Sequence, residues 1–146
     1  MDAFDADVLI YAAAPEHTLG RRVAALFPVN PMGPDDPPVG LGSMLLLPEL
    51  LSKPTRDEAD DEVAALAGLL GRLELHAVDA AIGRLAVAFG AAYRLAAADA
   101  VHLATAVQAG ADRFITNNAR DFPKTISEVD ITYPTDLDDP DSSDSG

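Results

Sequence analysis

The sequence predicts an α/β protein with three layers (α/β/α), in which helices cover both faces of a central parallel sheet of four or five strands. Short segments rich in β-branched and aromatic residues alternate along the chain with longer segments of helical periodicity. Strands that are separated by helices pair in parallel, and the connecting helices then pack on the two faces of the sheet. The length of 146 residues fits one domain, and a hydrophobic content of 49% is enough for a core.

The first part of the chain is predicted to form a strand, a helix and an irregular connection. Residues 4–12 (FDADVLIYA) are apolar and partly β-branched, which predicts a buried strand. Pro15 is expected to open a helix that ends near Phe27, since proline is tolerated in the first helical turn. Residues 28–42 contain five prolines and three glycines, which predicts an irregular segment that ends in a short strand near residues 38–41.

Two helices are predicted next. Ser43 is a suitable cap for the first, which should end at Lys53 because the residue before Pro54 disfavours helical geometry. The second is expected to start at Thr55 or Asp57 and to reach about Gly71. Its acidic residues are crowded into the first turns, where the helix dipole favours negative charge.

The second half of the chain repeats the alternation of strands and helices. Asp79 is expected to cap a helix that ends near Leu95, and a further helix over residues 97–109 is closed by Gly110. The strands predicted in this half are, in order, residues 73–78, 112–116 and 129–132. The domain is expected to span residues 1–134. Residues 135–146 have no apolar period and are expected to form an acidic disordered tail.

The charge of the chain is strongly negative. The formal net charge is -14, and aspartate supplies eighteen of the 24 acidic residues while lysine occurs only twice. This imbalance argues against DNA binding through a broad basic face. Carboxylates in such excess repel one another, and concentrated salt screens the repulsion. The composition therefore predicts an acidic protein of the kind made by a halophilic, haloarchaeal-type host.

A salt titration tests this expectation. We expect the melting temperature of the protein to rise between dilute buffer and molar KCl, because the added ions screen repulsion among surface carboxylates. Thermal unfolding followed by circular dichroism measures the shift. A melting temperature that does not rise would contradict the halophilic interpretation.

The sequence favours the cytoplasm as the location of the protein. It contains no cysteine, which excludes disulfides, zinc-thiolate clusters and a thiol nucleophile, and which fits a reducing compartment. Charged residues interrupt the long alanine-rich stretch before it reaches the roughly 18 apolar residues that a membrane span requires. The N-terminus does not resemble a signal peptide, which begins with basic and then apolar residues, since the acidic residues Asp2 and Asp5 come soon after Met1. We therefore expect no membrane association.

Three acidic residues lie inside otherwise apolar segments: Asp5, Glu49 and Asp99. A carboxylate in such a setting is costly to bury, so it is usually paired, exposed in a cleft or bound to a cation. An all-oxygen cluster suits Mg²⁺ or Mn²⁺, whereas the lack of cysteine and the isolation of the histidines argue against zinc. Simpler interpretations stay open: Asp5 as a cap at the strand end, Glu49 as a solvent-facing residue, and Asp99 as a helix cap.

Four segments together resemble the motifs of a known family. They are DADVLIY from Asp5, SMLLLPELL from Ser43, AADAVHLATA from Ala97 and DRFITNNARDF from Asp112. In this order they resemble the four motifs of PIN-domain ribonucleases, and most closely the VapC-like toxins of type II toxin-antitoxin pairs. The similarity covers about residues 3–133 and implies a PIN-like fold for the three-layer sheet.

The resemblance implies a magnesium- or manganese-dependent endoribonuclease that hydrolyses RNA phosphodiester bonds. Asp5, Glu49 and Asp99 would be the metal-binding acids, and Asn118 would occupy the family's fourth acidic position. Thr116 would orient a ligand or the attacking water through its hydroxyl. The implied partners are the RNA substrate and a cognate antitoxin, and homodimers are common among such proteins.

The sequence departs from the family at two positions. Asn118 offers an amide oxygen to the ion but brings no charge, so a second metal ion should bind weakly. Asp121 would compensate if its loop folded back, although a turn-forming role for it is favoured. Asp7, where relatives carry Asn or Ser, is either a further metal-facing carboxylate or a cap for backbone groups.

Other functional residues carry weaker signals. The candidate phosphate contacts are arginines, with Arg120 ranked first, although for each of them a surface ion pair is the favoured interpretation. The set is Arg21, Arg22, Arg94, Arg113 and Arg120. His102 follows Asp99 by three residues on the same helix face but is expected to be a packing residue, and His17 and His76 carry no signal.

The main alternative to an enzyme is a catalytically degenerate PIN-like module that binds RNA or protein, because Asn118 replaces the fourth acid. A haloacid-dehalogenase-like phosphatase would need a hydrophobic strand before its first Asp, and only four residues precede Asp5. A receiver domain would need a lysine at a later strand end, which neither Lys53 nor Lys124 provides.

Overall fold

The fold is built on a five-stranded parallel sheet. The computed structural model describes residues 1–14, 16–29 and 33–140. The strands are β1 (Asp2–Phe4), β2 (Gly40–Ser43), β3 (Leu73–His76), β4 (Arg113–Ile115) and β5 (Asp130–Thr132). Their order in the sheet is β3-β2-β1-β4-β5, and every neighbouring pair is parallel. The predicted parallel sheet is confirmed.

Helices connect the strands and cover both faces of the sheet. They are α1 (Ala6–Ala12), α2 (Thr18–Ala24), α3 (Leu46–Arg56), α4 (Asp60–Leu70), α5 (Ala80–Tyr93) and α6 (Ala97–Gln108), followed by a 3₁₀ turn at Pro134–Asp136. Two apolar cores result. Neighbouring residues of β1 enter opposite cores, Ala3 with α5 and α6 and Phe4 with α1 to α4, because side chains alternate along a strand. The predicted three-layer architecture is therefore confirmed.

The prediction of a strand over residues 4–12 is wrong beyond Phe4. The Asp5 side chain accepts a hydrogen bond of 2.8 Å from the backbone N–H of Ala6 and caps α1, so the strand ends and a helix begins. Val8 and Leu9 are then buried on one side of that helix. A short apolar segment does not distinguish a buried strand from a buried helix, and here the cap decides.

The boundaries of α2 and α3 also differ from the predictions. Helix α2 begins at Thr18, and its cap is His17, whose Nδ1 accepts from the N–H groups of Leu19 and Gly20 at 3.2 and 3.3 Å. The predicted start, Pro15, lies outside the described residues. Helix α3 continues through Pro54, which is buried in its last turn. Burial of the proline ring there outweighs the backbone hydrogen bond that proline cannot make.

Ser43 is the last residue of β2 and does not cap α3, although its Oγ accepts from the N–H of Leu45 at 3.1 Å. Helix α4 starts at Asp60, later than predicted, and Gly71 closes it as expected. Farther along, Asp79 caps α5 through a 2.9 Å hydrogen bond from the N–H of Ile82. Gly110 follows α6 with a φ of 71°, a conformation that favours glycine.

The expected tail begins later than residue 135. Leu137 is buried, and Arg22 donates a hydrogen bond of 2.9 Å to its carbonyl oxygen. The packed domain thus extends at least to Leu137, while residues 141–146 of the expected tail lie outside the described residues. Within the described ranges no single helix is long and apolar enough to cross a membrane. Only α5 and α6 taken together, bent by 116°, have the necessary length and composition.

Candidate active site

Asp5 lies where the central strand β1 meets the start of α1. Its backbone N–H bonds to the carbonyl of Ile115 at 2.9 Å, so it still touches the end of β4. Its carboxylate is 5% exposed and accepts from Ala6 N and, at 2.8 Å, from the Thr116 hydroxyl. The parallel register places the carboxyl ends of β1 and β4 at the same edge, which is where α/β sheets usually bind ligands. Asp5 and Thr116 are therefore direct neighbours.

The three predicted acids converge at this edge. Asp99 lies in the first turn of α6, whose cap position is Ala96, so Asp99 is not the cap of its helix. Burial raises the pKa of Asp99, and the charges of Asp5 and Asp121 raise it further. The charge of Glu49 also raises the pKa values of both Asp5 and Asp99. Side chains from the N-cap of α1, from α3 and from α6 thus lie within electrostatic reach of one another.

Burial also raises the pKa of Asp5. His102 opposes that shift most strongly, and the hydrogen bonds from Thr116 and Ala6 oppose it further. The carboxylate is held in one orientation by two donors, while its negative charge lacks a full counter-charge. Such a group is well suited to bind a cation.

Glu49 does not simply face the solvent. Its side chain is 32% exposed, and its Oε1 contacts Nε2 of His102, whose side chain is 1% exposed. Burial lowers the pKa of His102, but the hydrogen bond to Glu49 and the charges of Asp5 and Asp99 outweigh burial and raise it overall. The sequence predicted only a packing role for His102, and this contact was not predicted. Its only signal was the spacing of three residues from Asp99.

Asn118 and Asp121 form a closed turn beside the acids. The Asn118 Nδ2 donates to Asp121 Oδ2 at 2.9 Å, and its Oδ1 accepts from the Asp121 N–H at 3.2 Å. The N–H of Asn118 donates to the Thr116 hydroxyl at 3.1 Å. Asp121 therefore has the turn-forming role that was favoured, and its charge also reaches Asp99. The role of Asn118 as a ligand stays a prediction.

Asp7 combines features of both interpretations proposed for it. One carboxylate oxygen accepts from the N–H of Asn117 at 3.0 Å, so Asp7 does cap a backbone group. The other oxygen, Oδ1, is buried and has no hydrogen-bond partner among the described residues. Burial raises the pKa of Asp7 to about 7, with further contributions from the charges of Asp5 and Asp99. Its unpartnered oxygen is available to a cation.

The shift at Asp7 predicts a pH dependence of stability. With a pKa near 7 in the folded protein and an ordinary value of 3.8, Asp7 takes up a proton on folding between these two pH values. Stability in the metal-free protein should therefore fall as pH rises from about 4 to about 7. We expect Asp7→Asn, melted in EDTA, to lose less stability between pH 5 and pH 8 than the wild type.

At pH 8 the Asp7→Asn protein should be more stable by about 1–3 kcal/mol, a value reduced for partial solvent screening. Asp61→Asn is the matched control, because Asp61 is an exposed residue in the first turn of α4. Its pH profile should follow that of the wild type. Equal profiles for all three proteins would refute the buried-charge explanation.

The donor chemistry of this cluster fits a hard divalent ion. No three histidine or acidic side chains among the described residues are arranged to coordinate one ion as they stand. Glu49 is bonded to His102, and Asn118 is bonded to Asp121. Apart from the His102 imidazole, the polar groups of the cluster are oxygens and amides, and one buried oxygen, Asp7 Oδ1, has no partner among the described residues. Mg²⁺ and Mn²⁺ prefer such ligands.

Two of the candidate phosphate-binding arginines lie elsewhere. Arg113 forms a bidentate pair with Asp2, at 3.0 and 2.8 Å. This pair lies at the amino ends of β1 and β4, whereas Asp5 lies at the carboxyl end of β1. Arg22 bonds to the carbonyls of Thr135 and Leu137. Arg22 also forms an ion pair with Asp139 at 3.5 Å, so both arginines have the ion-pair role that was favoured for them. Arg120 is exposed in the turn that Asn118 and Asp121 form, and its contact with phosphate stays a prediction.

Comparisons with known proteins identify the family and support the fold. A family model described as "PIN domain" matches residues 4–126. A search of curated proteins found no match. Among solved structures, a toxin-antitoxin complex from Klebsiella pneumoniae contains a chain with a TM-score of 0.70 and 21% identity, with 92% of this chain and 98% of that chain covered.

A second similar structure is VapBC2 from Rickettsia felis, bound to a DNA fragment from the promoter. The TM-score is 0.67 at 16% identity, and 90% of this chain and 97% of that chain are covered. At these identities the two structures support the fold. The family match spans most of the chain and includes Asp5, Glu49, Asp99 and Asn118. The chain belongs to the PIN domain family.

Proposed function

We propose that this protein is a divalent-metal-dependent endoribonuclease and the VapC-like toxin of a toxin-antitoxin pair, acting in the cytoplasm. The observation that carries the proposal is the convergence of Asp5, Glu49 and Asp99 from three separate elements at the carboxyl edge of the sheet. Membership of the PIN domain family supports nuclease chemistry. The two similar structures support the toxin assignment, since one is described as a toxin-antitoxin complex and the other as VapBC2.

The residues of the site would have distinct roles. Asp5 and Asp99 would hold the principal Mg²⁺ or Mn²⁺, and Glu49 and Asn118 would complete the site directly or through water. The bound ion would supply an activated water and neutralise charge on the phosphate. The Thr116 hydroxyl donates to Asp5 and accepts from the Asn118 N–H, so Thr116 would orient the Asp5 carboxylate and not the attacking water. Arg120 would contact a phosphate at the edge of the cluster.

The partners follow from the same proposal. RNA is the substrate, and its phosphates would approach an acidic protein at the one place where a cation offsets the carboxylates. An antitoxin would silence the enzyme by placing a basic side chain among Asp5, Asp99 and Glu49, where it would compete with the metal ion. A homodimer would be the expected assembly of the toxin.

A cleavage assay tests the proposal. Purified protein is incubated with single-stranded and structured RNA in Mg²⁺, in Mn²⁺ and in EDTA, and DNA of the same sequence serves as the control. We expect metal-dependent cleavage of RNA at internal positions, none in EDTA and none of DNA. A protein that is inert with both metals would contradict the nuclease assignment.

One observation favours the alternative of a binding module. The nitrogen and the oxygen of the Asn118 amide are both hydrogen-bonded to Asp121. The residue at the fourth metal position therefore has no charge, and its amide oxygen already accepts a hydrogen bond. If the protein binds RNA but does not cleave it in either metal, the site has lost catalysis. Electrophoretic mobility shift with the same RNA, in parallel with the cleavage assay, separates the two functions.

A further inference from the structure

The contact between His102 and Glu49 joins two helices that are distant in sequence. Helix α6 carries both Asp99 and His102, three residues apart and therefore on one face. Helix α3 carries Glu49. The His102 imidazole is buried at the level of the acids, and the charges of Asp5 and Asp99 also act on it. The contact thus lies inside the acidic cluster.

The chemistry of the two contacting atoms, Nε2 of His102 and Oε1 of Glu49, indicates which of them donates the hydrogen bond. A carboxylate oxygen accepts hydrogen bonds, and we therefore assign the proton of this contact to Nε2 of His102. The other ring nitrogen, Nδ1, is buried and has no hydrogen-bond partner among the described residues. The imidazole therefore has one polar contact in the described structure, and that contact is with Glu49.

Glu49 needs such a partner to face the cluster. Its side chain has three rotatable torsions, and its neighbours on α3, Pro48 and Ser52, are exposed. Without a fixed donor, a glutamate at this position would sample rotamers that extend into water. A hydrogen bond from an immobile, buried imidazole removes most of that freedom. Groups that fix the orientation of a metal ligand in this way commonly change metal affinity by about 10- to 100-fold.

We infer that His102 is a positioning residue, whose Nε2–H holds the Glu49 carboxylate toward Asp5 and Asp99 so that Glu49 serves the metal site. This inference rests on the proposed function, because it gives Glu49 a role toward the metal ion. It assigns His102 no contact with substrate. The competing interpretation is that His102 only fills space in the core, and the two differ in what a substitution of equal size should do.

Glutamine and asparagine separate the two interpretations. In His102→Gln, the amide nitrogen of the new side chain can occupy the position of Nε2, whereas the shorter amide of His102→Asn reaches only the position of Nδ1 and cannot reach Glu49. His102→Leu fills the space without a donor. Mn²⁺ affinity is measured from the electron paramagnetic resonance signal of free aqueous Mn²⁺. We expect His102→Gln to bind Mn²⁺ within about threefold of the wild type, and His102→Asn and His102→Leu to bind roughly tenfold more weakly.

Two controls complete the experiment. His76→Asn removes a histidine that also lies beside a glutamate, Glu74 at 3.6 Å, and should leave the affinity unchanged. In a Glu49→Ala background, His102→Asn should have no further effect, because the group that His102 positions is already absent. Melting temperatures identify any variant that does not fold. If His102→Asn or His102→Leu does not fold, the Mn²⁺ affinity of His102→Gln is compared with those of the wild type and of Glu49→Ala, and it should match the wild type.

The outcomes distinguish the inference from the proposed function. If the wild type binds Mn²⁺ and all His102 variants bind it equally well, the inference is wrong and the nuclease proposal stands. The inference is also wrong if His102→Gln binds as weakly as His102→Leu. A wild-type protein that binds no Mn²⁺ would overturn the proposed function and the inference together.

Discussion

Replacing Asp5 by asparagine is expected to lower metal-dependent RNA cleavage by roughly 10²- to 10³-fold, the usual cost of removing one preorganised electrostatic group. Asp5 lies at the centre of the cluster, where its charge acts on Asp7 and Asp99 and is felt by His102. Asparagine has nearly the same shape but no charge to attract the ion. The rate of cleavage at saturating Mn²⁺ measures the loss.

The same variant should remain fully folded. Asp5 accepts two side-chain hydrogen bonds through different oxygens, Oδ1 from the Ala6 N–H and Oδ2 from the Thr116 hydroxyl. The asparagine Oδ1 can still accept from Ala6, and its Nδ2 can donate to the Thr116 hydroxyl oxygen, which then no longer donates to residue 5. Because burial disfavours the charged carboxylate, its removal should leave the melting temperature of the metal-free protein unchanged or raise it. Loss of activity without loss of stability would separate a functional charge from a structural one.

Asp79→Asn is the matched control for Asp5→Asn. Asp79 is also the N-cap of a helix that follows a strand, but it is exposed and caps α5 outside the acidic cluster. Asparagine is an equally good cap, so both activity and melting temperature should be retained. Full activity in Asp5→Asn, or an equal loss in both variants, would count against a metal site at Asp5.

Gly20→Ala is expected to destabilise the protein by about 3 kcal/mol or more, the upper range for overpacking. A Cβ at this position would lie 2.0 Å from the carbonyl oxygen of Tyr11 and 2.7 Å from its carbonyl carbon. These are backbone atoms of α1 and cannot rotate away. To accept a methyl group, α2 must move from α1, which packs against the core through Val8 and Leu9.

Thermal unfolding measures this effect. For a domain of about 150 residues, a loss of that size lowers the melting temperature by roughly 6–12 °C. Gly68→Ala in α4 is the control, since a Cβ there meets nothing within 4 Å. It should stabilise the protein by about 0.5–1 kcal/mol, because alanine is the better helix former. If both variants have the same melting temperature, the close approach of α1 and α2 is not what restricts residue 20 to glycine.

Local signals in the sequence predicted much of the fold. The alternation of strands and helices predicted the parallel sheet, and Asp79 and Gly110 marked the boundaries of α5 and α6. Such signals are reliable because capping and left-handed glycines depend on a few adjacent residues. The ends of β1 and α3 were mispredicted. There, the Asp5 side chain ends the strand by capping α1, and burial of Pro54 in the last turn of α3 outweighs the preference of proline to end a helix.

The candidate site divides in the same way. The residue types alone singled out Asp5, Glu49 and Asp99, because a carboxylate within an apolar segment needs a compensating partner. The contact of His102 with Glu49 was not predictable, because the two residues are 53 positions apart and meet only when α3 and α6 pack. An ion pair was the favoured role of Arg113, but its partner Asp2 was not predictable, because the two residues are 111 positions apart and meet only when β1 pairs with β4.

The sequence by itself determined which elements form and which acidic side chains the protein supplies to its chemistry. Only the tertiary structure decided which of those groups touch, which are bonded to His102 or to Asp121, and which arginines are engaged far from the site. The physical reason is that capping and periodicity act over a few residues. Electrostatic coupling and hydrogen bonding between side chains depend on distances in space, which are set once the helices pack on the sheet.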